Sequence, residues 1–173
     1  PFLTKFKAAG AELVNCGGQY DEVALVVQQA RNLDMNIPIM GMAATTRQEV
    51  IDIAGKDLEA AAGGYYAMTN YAPDYPDEDF QEFKTKYEEK FNMALENHAV
   101  ATYDLMSMVC DAIKENGEGK TNKELREVIR EGLTGKTYKG VMVEFKMLED
   151  GNCNKPLIPL TVVDGKFVTY ESK

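Results

Sequence analysis

The sequence predicts an α/β fold built on a parallel sheet, and three observations predict it. Leu13-Val14 is a short apolar run that ends in Asn15-Cys16-Gly17-Gly18-Gln19-Tyr20. From Asp21 to Met35, apolar residues recur at Val23, Val26, Val27, Ala30 and Leu33, the spacing of one helix face. A second strand-like run, Ile37 to Met42, follows at once. A helical crossover returns the chain to the same end of a sheet, so the two strands must run parallel. Open parallel sheets hold ligands outside the carboxyl ends of their strands. The loops Gly17-Gly18-Gln19-Tyr20 and Gly41-Met42-Ala43-Ala44-Thr45 stand at those ends, and a site is expected there.

Before this unit, residues 2 to 9 read as a helix (Phe2, Leu3, Phe6, Ala9) that Gly10 ends. No capping residue precedes it, so the chain is expected to be cut from a longer protein whose missing part carries any export signal. After it, Thr46-Arg47-Gln48-Glu49 fits a capping box for a short helix that buries Val50, Ile51, Ile53 and Ala54 and closes at Gly55. Gly63 to Asn70 reads as a third strand. Pro73 and Pro76 cannot sit inside a ladder, which makes Tyr71 to Pro76 an extended linker and a domain boundary.

Beyond that boundary the pattern turns helical. Asp77-Glu78-Asp79 places acidic charge on the first turn of a helix running to about Phe91, with Phe80, Phe83, Tyr87 and Phe91 on one face. A second helix is expected from His98 to Glu115, packing through Ala99, Thr102, Tyr103, Met106, Val109, Cys110 and Ile113. Thr121-Asn122-Lys123-Glu124 is a further capping box, before Leu125, Val128, Ile129 and Leu133. The tail is β again: Val141, Val143 and Phe145 alternate with polar neighbours, and Asp164-Gly165 marks a hairpin between Pro156 to Val163 and Lys166 to Tyr170.

Composition narrows the function. The chain of 173 residues is 45% hydrophobic and 27% charged, enough to bury a core. A net charge of -9, with no cluster of Lys and Arg, argues against a nucleic-acid partner. No window approaches the roughly eighteen continuous apolar residues of a membrane helix. Cys16, Cys110 and Cys153 lie far apart without CxxC or paired histidines, so neither zinc nor a disulfide framework is expected; Cys16 and Cys110 read as buried thiols and Cys153 as exposed.

Motif by motif, nothing points to catalysis, a cofactor or a metal. Gly17-Gly18 is neither GxGxxG nor a P-loop, and no GxSxG elbow occurs. The acidic run Asp74 to Asp79 lacks the glycine and terminal glutamate of a calcium loop. Gln19 and Tyr20 offer an amide and an aromatic ring to a ligand. His98, the single histidine, reads from position alone as a solvated or capping group at a helix start.

At Val14-Asn15-Cys16-Gly17-Gly18-Gln19-Tyr20-Asp21-Glu22, with Gln29-Ala30-Arg31, Ile37-Pro38-Ile39-Met40-Gly41, Ile53-Ala54-Gly55 and Gly64-Tyr65-Tyr66, the sequence resembles the branched-chain amino-acid binding proteins. These are type I solute-binding receptors of bacterial ABC transporters. The resemblance continues through Pro73-Asp74-Tyr75-Pro76-Asp77, Ala101-Thr102-Tyr103-Asp104, Phe145 to Pro156 and Val163-Asp164-Gly165-Lys166-Phe167, essentially the whole chain in the family's order. It implies the periplasmic-binding-protein type I fold, two α/β lobes joined by crossovers with the solute in the cleft between them, of which this chain is a partial fragment. By the same analogy, residues 1–72 are the later half of the second lobe and 73–147 belong to the first. Residues 148–173 are a hinge crossing and a hairpin returning to the second lobe.

The resemblance implies solute contacts at Gln19, Tyr20, Ala43 and His98. Gln19 stands where the family commonly has an aromatic, and His98 where an aromatic often reaches the pocket. Ala43 stands where an acidic residue binds the ligand's ammonium group, which out of water needs a paired charge or several acceptors. Three readings stay open: the ligand is not an ordinary α-amino acid, another carboxylate such as Glu22 supplies the charge, or the register is off by one residue. The implied role is capture of a small solute, an amino acid or analogue, outside the cytoplasm and its delivery to a membrane permease, with no catalysis and no cofactor. With part of the cleft wall missing, the fragment is expected to bind weakly or not at all and to pair with another copy through uncovered strands. The alternatives are a ligand-sensing receptor domain of the same fold and, third, a small flavodoxin-like enzyme.

Overall fold

The computed structural model describes residues 2–171. The first stretch forms α1 (Phe2–Ala8), β1 (Val14–Asn15), α2 (Tyr20–Asn32), β2 (Ile39–Met42), α3 (Gln48–Ala54) and β3 (Tyr65–Thr69). Then come α4 (Glu78–Phe91), α5 (Asn97–Asn116), α6 (Asn122–Leu133), β4 (Thr137–Lys139) and β5 (Glu144–Lys146). The chain closes with β6 (Ile158–Val163) and β7 (Lys166–Thr169). These elements divide into two compact units: residues up to Tyr75 together with those from Leu157 onward, and Pro76–Pro156.

The first unit is a five-stranded sheet in the order β1-β2-β3-β6-β7. As the helical connections require, β1, β2 and β3 run parallel; β6 then joins β3 antiparallel and turns back into β7. Strand alternation sends Ile39, Gly41, Tyr65 and Ala67 to one face, where Val23, Val27 and Ala30 of α2 and Val50, Ile51 and Ala54 of α3 cover them. Each such fully buried valine or isoleucine contributes about 1.5–3 kcal/mol. Arg31 ties the end of α2 to this sheet, its guanidinium donating to the carbonyls of Met35, Ile37, Asp57 and Gly64 at 2.6–3.2 Å.

Three local expectations change. Ile53, expected on the buried face of α3, is exposed. α3 begins at Gln48 with Arg47 as its flanking residue, not Thr46. The Thr46 hydroxyl instead donates to the Ala43 carbonyl at 2.9 Å, a short-range bond that serves the preceding turn and removes it from capping. The third strand starts at Tyr65, because Gly63 and Gly64 carry φ of 104° and 84° and form the turn into it. A Cβ at Gly63 would lie 2.6 Å from the Asn36 backbone, so only glycine fits there.

The second unit is organised around α5, and its buried seam differs from the expected one. Val100, Asp104, Met108 and Ala112 are buried, whereas Tyr103 and Met106 are about half exposed. The helix is apolar on most sides, and a charged residue, Asp104, occupies the inward stripe; hydrophobic spacing alone therefore selected the wrong face. Cys110 is exposed and Cys16 half-buried, so the expectation of two buried thiols fails for Cys110 and is met only in part by Cys16. α6 packs closely where Gly132 meets Ala112, a Cβ at Gly132 falling 2.7 Å from the alanine methyl. Its capping box forms as expected: the Thr121 amide donates to Glu124 at 2.8 Å and the Glu124 amide to Thr121 Oγ1 at 3.4 Å. The tail strand shortens to β5 and pairs with β4, which sequence reading missed; Phe145 is buried within it and Met142 ahead of it, so the strict alternation breaks. Residues after β5 fold back on it through a Met147–Cys153 bridge. No helix is long and apolar enough to cross a membrane among the described residues.

Candidate functional site

Two loops leave the carboxyl ends of adjacent parallel strands in the first unit. The first runs from Cys16, whose amide still donates to Met40 at 2.8 Å, through Gly17 and Gly18 to Gln19. Gly18 permits close approach: a Cβ there would lie 3.0 Å from the Glu22 carboxylate. Gln19 flanks the start of α2, its side chain exposed, its backbone amide donating to Glu22 Oε2 at 2.9 Å. Glu22, the alternative source of negative charge, is thus already engaged at the helix start. Tyr20 opens α2 and is half-buried.

The second loop is a 3₁₀ turn, Ala43–Thr45, entered from Met42 and left through Thr46 and Arg47. Ala43 is half-buried and Met42 is 56% exposed. Beneath this turn, the fully buried Thr45 hydroxyl donates to the Met42 carbonyl at 2.6 Å and lies 2.5 Å from the Tyr65 hydroxyl. The two loops meet through Arg47, whose guanidinium stacks 4.7 Å from the centre of the Tyr20 ring and pairs with Glu49 at 2.8 Å. One face of Tyr20 is therefore occupied by a cation.

The fold thus brings Gln19, Tyr20 and Ala43 to one end of one sheet. His98 belongs to the second unit, where it is the exposed second residue of α5 and borders a groove lined by Phe83, Tyr87, Tyr103 and Met106. Sequence reading placed Met42 and Thr45 in the expected loop without giving either a role, and missed Arg47 and Tyr65. A Thr45-Thr46 pair directly after a strand was the available signal, but it also fits a helix cap.

The chemistry on offer is recognition: an amide, an aromatic ring, a paired guanidinium and the apolar Met42 and Ala43. The nearby Cys16 thiol is pushed up by burial, which keeps it protonated. Among the described residues no group of three metal-ligating side chains occurs.

The family model of the periplasmic binding proteins matches residues 1–166. The chain belongs to the periplasmic binding protein family. No curated protein sequence matches this periplasmic binding protein. Among solved structures, it superposes on a leucine binding protein, LivK, from Thermotoga maritima with a TM-score of 0.84 at 22% identity, over 98% of this chain and 47% of that one. LivJ from Streptococcus pneumoniae in complex with isoleucine gives 0.79 at 22% identity, over 98% and 47% of the two chains. A solute-binding protein of an ABC transporter from R. palustris in complex with benzoate gives 0.80 at 16%, over 97% and 44%. At such identities the likeness establishes the fold, that of a type I periplasmic binding protein. The chain spans about half the length of these relatives.

Proposed function

We propose that this chain is part of the solute-binding component of an ABC transporter, working in the periplasm or outside the cell and passing its solute unchanged to a membrane permease. The observation that carries this reading is the placement of Gly17–Tyr20 and Met42–Arg47 at the carboxyl ends of neighbouring parallel strands, in a chain of the periplasmic binding protein family. The solute is a small organic acid, an amino acid of the branched-chain kind or a related acid; leucine, isoleucine and benzoate in the names of similar structures support that class. The proposed contacts are Gln19, Tyr20 and Ala43 in the first unit and His98 in the second.

Ala43 bears on which acid. Glu22 and Glu49, near these loops, already accept bonds from the Gln19 amide and from Arg47. Arg47 offsets the charge of Glu49, whereas the neutral Gln19 amide leaves that of Glu22 in place, so Glu22 is the carboxylate near these loops left to meet a ligand ammonium. Thermal melting of the full-length protein with leucine, isoleucine, valine, their 2-oxo acids and benzoate separates the cases. A ligand at a hundredfold excess over its Kd adds about 2.7 kcal/mol, a shift of several degrees. The reading fails if none of these acids moves the transition, or if Gln19→Ala and Tyr20→Ala leave the response unchanged. Association with a second copy through the β1 edge belongs to the same proposal, and light scattering tests it.

A further inference from the structure

We infer that Tyr65 is a positioning residue for the turn that carries Ala43; the inference rests on the proposed role of that turn in solute binding. Tyr65 begins β3 and is fully buried, and its hydroxyl reaches along the sheet to the carboxyl end of β2. A Cβ at Gly41 would lie 1.9 Å from that oxygen, which shows how tightly the phenol is laid against the strand. A phenylalanine would supply the same apolar volume without the cost of burying a hydroxyl. The hydroxyl is explained by what it holds.

The direction of its bond follows from proton counting. The single Thr45 hydroxyl proton goes to the Met42 carbonyl, at 2.6 Å. Tyr65 must then donate to Thr45 Oγ1, at 2.5 Å, giving a relay from phenol to threonine to the Met42 carbonyl. The next carbonyl, that of Ala43, is taken by the Thr46 hydroxyl at 2.9 Å. Two consecutive peptide groups of the candidate loop are thus held from below by hydroxyls, and Tyr65 is the one anchored in the sheet. Burial raises the phenol to about 12, so it stays a donor across the physiological range.

The test compares Tyr65→Phe, Thr45→Val and Thr45→Ser with the native chain by amide hydrogen exchange. The readout is Thr46, whose amide faces the Ala43 carbonyl, with Cys16 and Ile39, bonded to Met40 and Gly64, as controls in the same sheet. Tyr65→Phe and Thr45→Val are expected to speed exchange at Thr46 by about fivefold, the equivalent of one hydrogen bond, with the controls unchanged. Thr45→Ser, which keeps the hydroxyl, is expected to match the native chain. Unchanged exchange at Thr46, or acceleration shared equally by the controls, would overturn the inference. Isoleucine and benzoate titrations of the full-length protein form a second arm: equal affinity in native and Tyr65→Phe proteins also overturns it. If the native protein binds neither probe, the solute-binding reading falls, while the exchange arm still decides whether Tyr65 holds the loop.

Discussion

Lys155 Nζ lies 2.5 Å from Asp104 Oδ2, in a pair whose side chains are 9% and 4% exposed. The other carboxylate oxygen accepts the Val141 amide at 2.8 Å, and the lysine sits 4.7 Å from the centre of the Phe145 ring. Gly140 makes room for the carboxylate, since a Cβ there would stand 2.8 Å from Oδ2. One ion pair thereby joins α5 to the strand region and to the segment after β5. A buried pair gains little over a well-packed apolar replacement, but removing one partner strands the other charge. Lys155→Met is expected to destabilise the second unit by about 3–5 kcal/mol, and Asp104→Leu with Lys155→Met by less than the sum of the single changes. Urea unfolding of the two single variants and the double variant measures the coupling.

Gly41 should tolerate no side chain. Its missing Cβ leaves the space that the Tyr65 and Thr45 hydroxyls fill, at 1.9 and 2.4 Å from where that atom would be. Gly41→Ala must push the phenol aside and is expected to cost about 1–3 kcal/mol. Thermal melting checks this, and a melting temperature equal to that of the native protein would contradict the packing described.

Tyr65 also predicts a pH dependence. Burial raises its phenol from 10.0 to about 12. The unfolded chain gives up this proton first, so stability is full below about 10 and falls as pH rises to about 12. The slope attributable to Tyr65 is about 1.4 kcal/mol per pH unit at most. Subtracting the stability profile of Tyr65→Phe from that of the native protein isolates it, and parallel profiles above pH 10 would refute the assignment.

At α6, the Glu124 carboxylate is held below the usual range by hydrogen bonds from the Thr121 hydroxyl and backbone amide. A carboxylate with a lowered folded value lends stability above its unfolded value and loses it as pH falls through the folded one. Thr121→Ala is expected to weaken the helix by about 1 kcal/mol and to move Glu124 part of the way back toward the ordinary carboxylate range, since the backbone amide of residue 121 still donates to it. NMR titration of the Glu124 side chain follows both changes.

The α/β class, the parallel β1-β2-β3 core, the α4 and α6 starts and the Asp164-Gly165 hairpin were legible in the residues, because each depends on local spacing or turn chemistry. So was the end of the sheet at which Gln19, Tyr20 and Ala43 gather, since parallel strands place their following loops on one side. The face that α5 buries was not legible: its inward stripe includes Asp104, and Lys155 and the Val141 amide, both distant in sequence, make that burial tolerable. The support beneath Ala43 was equally hidden, because Tyr65 and Thr45 meet only once β3 is laid beside β2. Local order is written in near neighbours along the chain. Which polar groups can be buried is decided by partners that only tertiary structure supplies, and those partners set the second unit's core and the shape of the candidate loop.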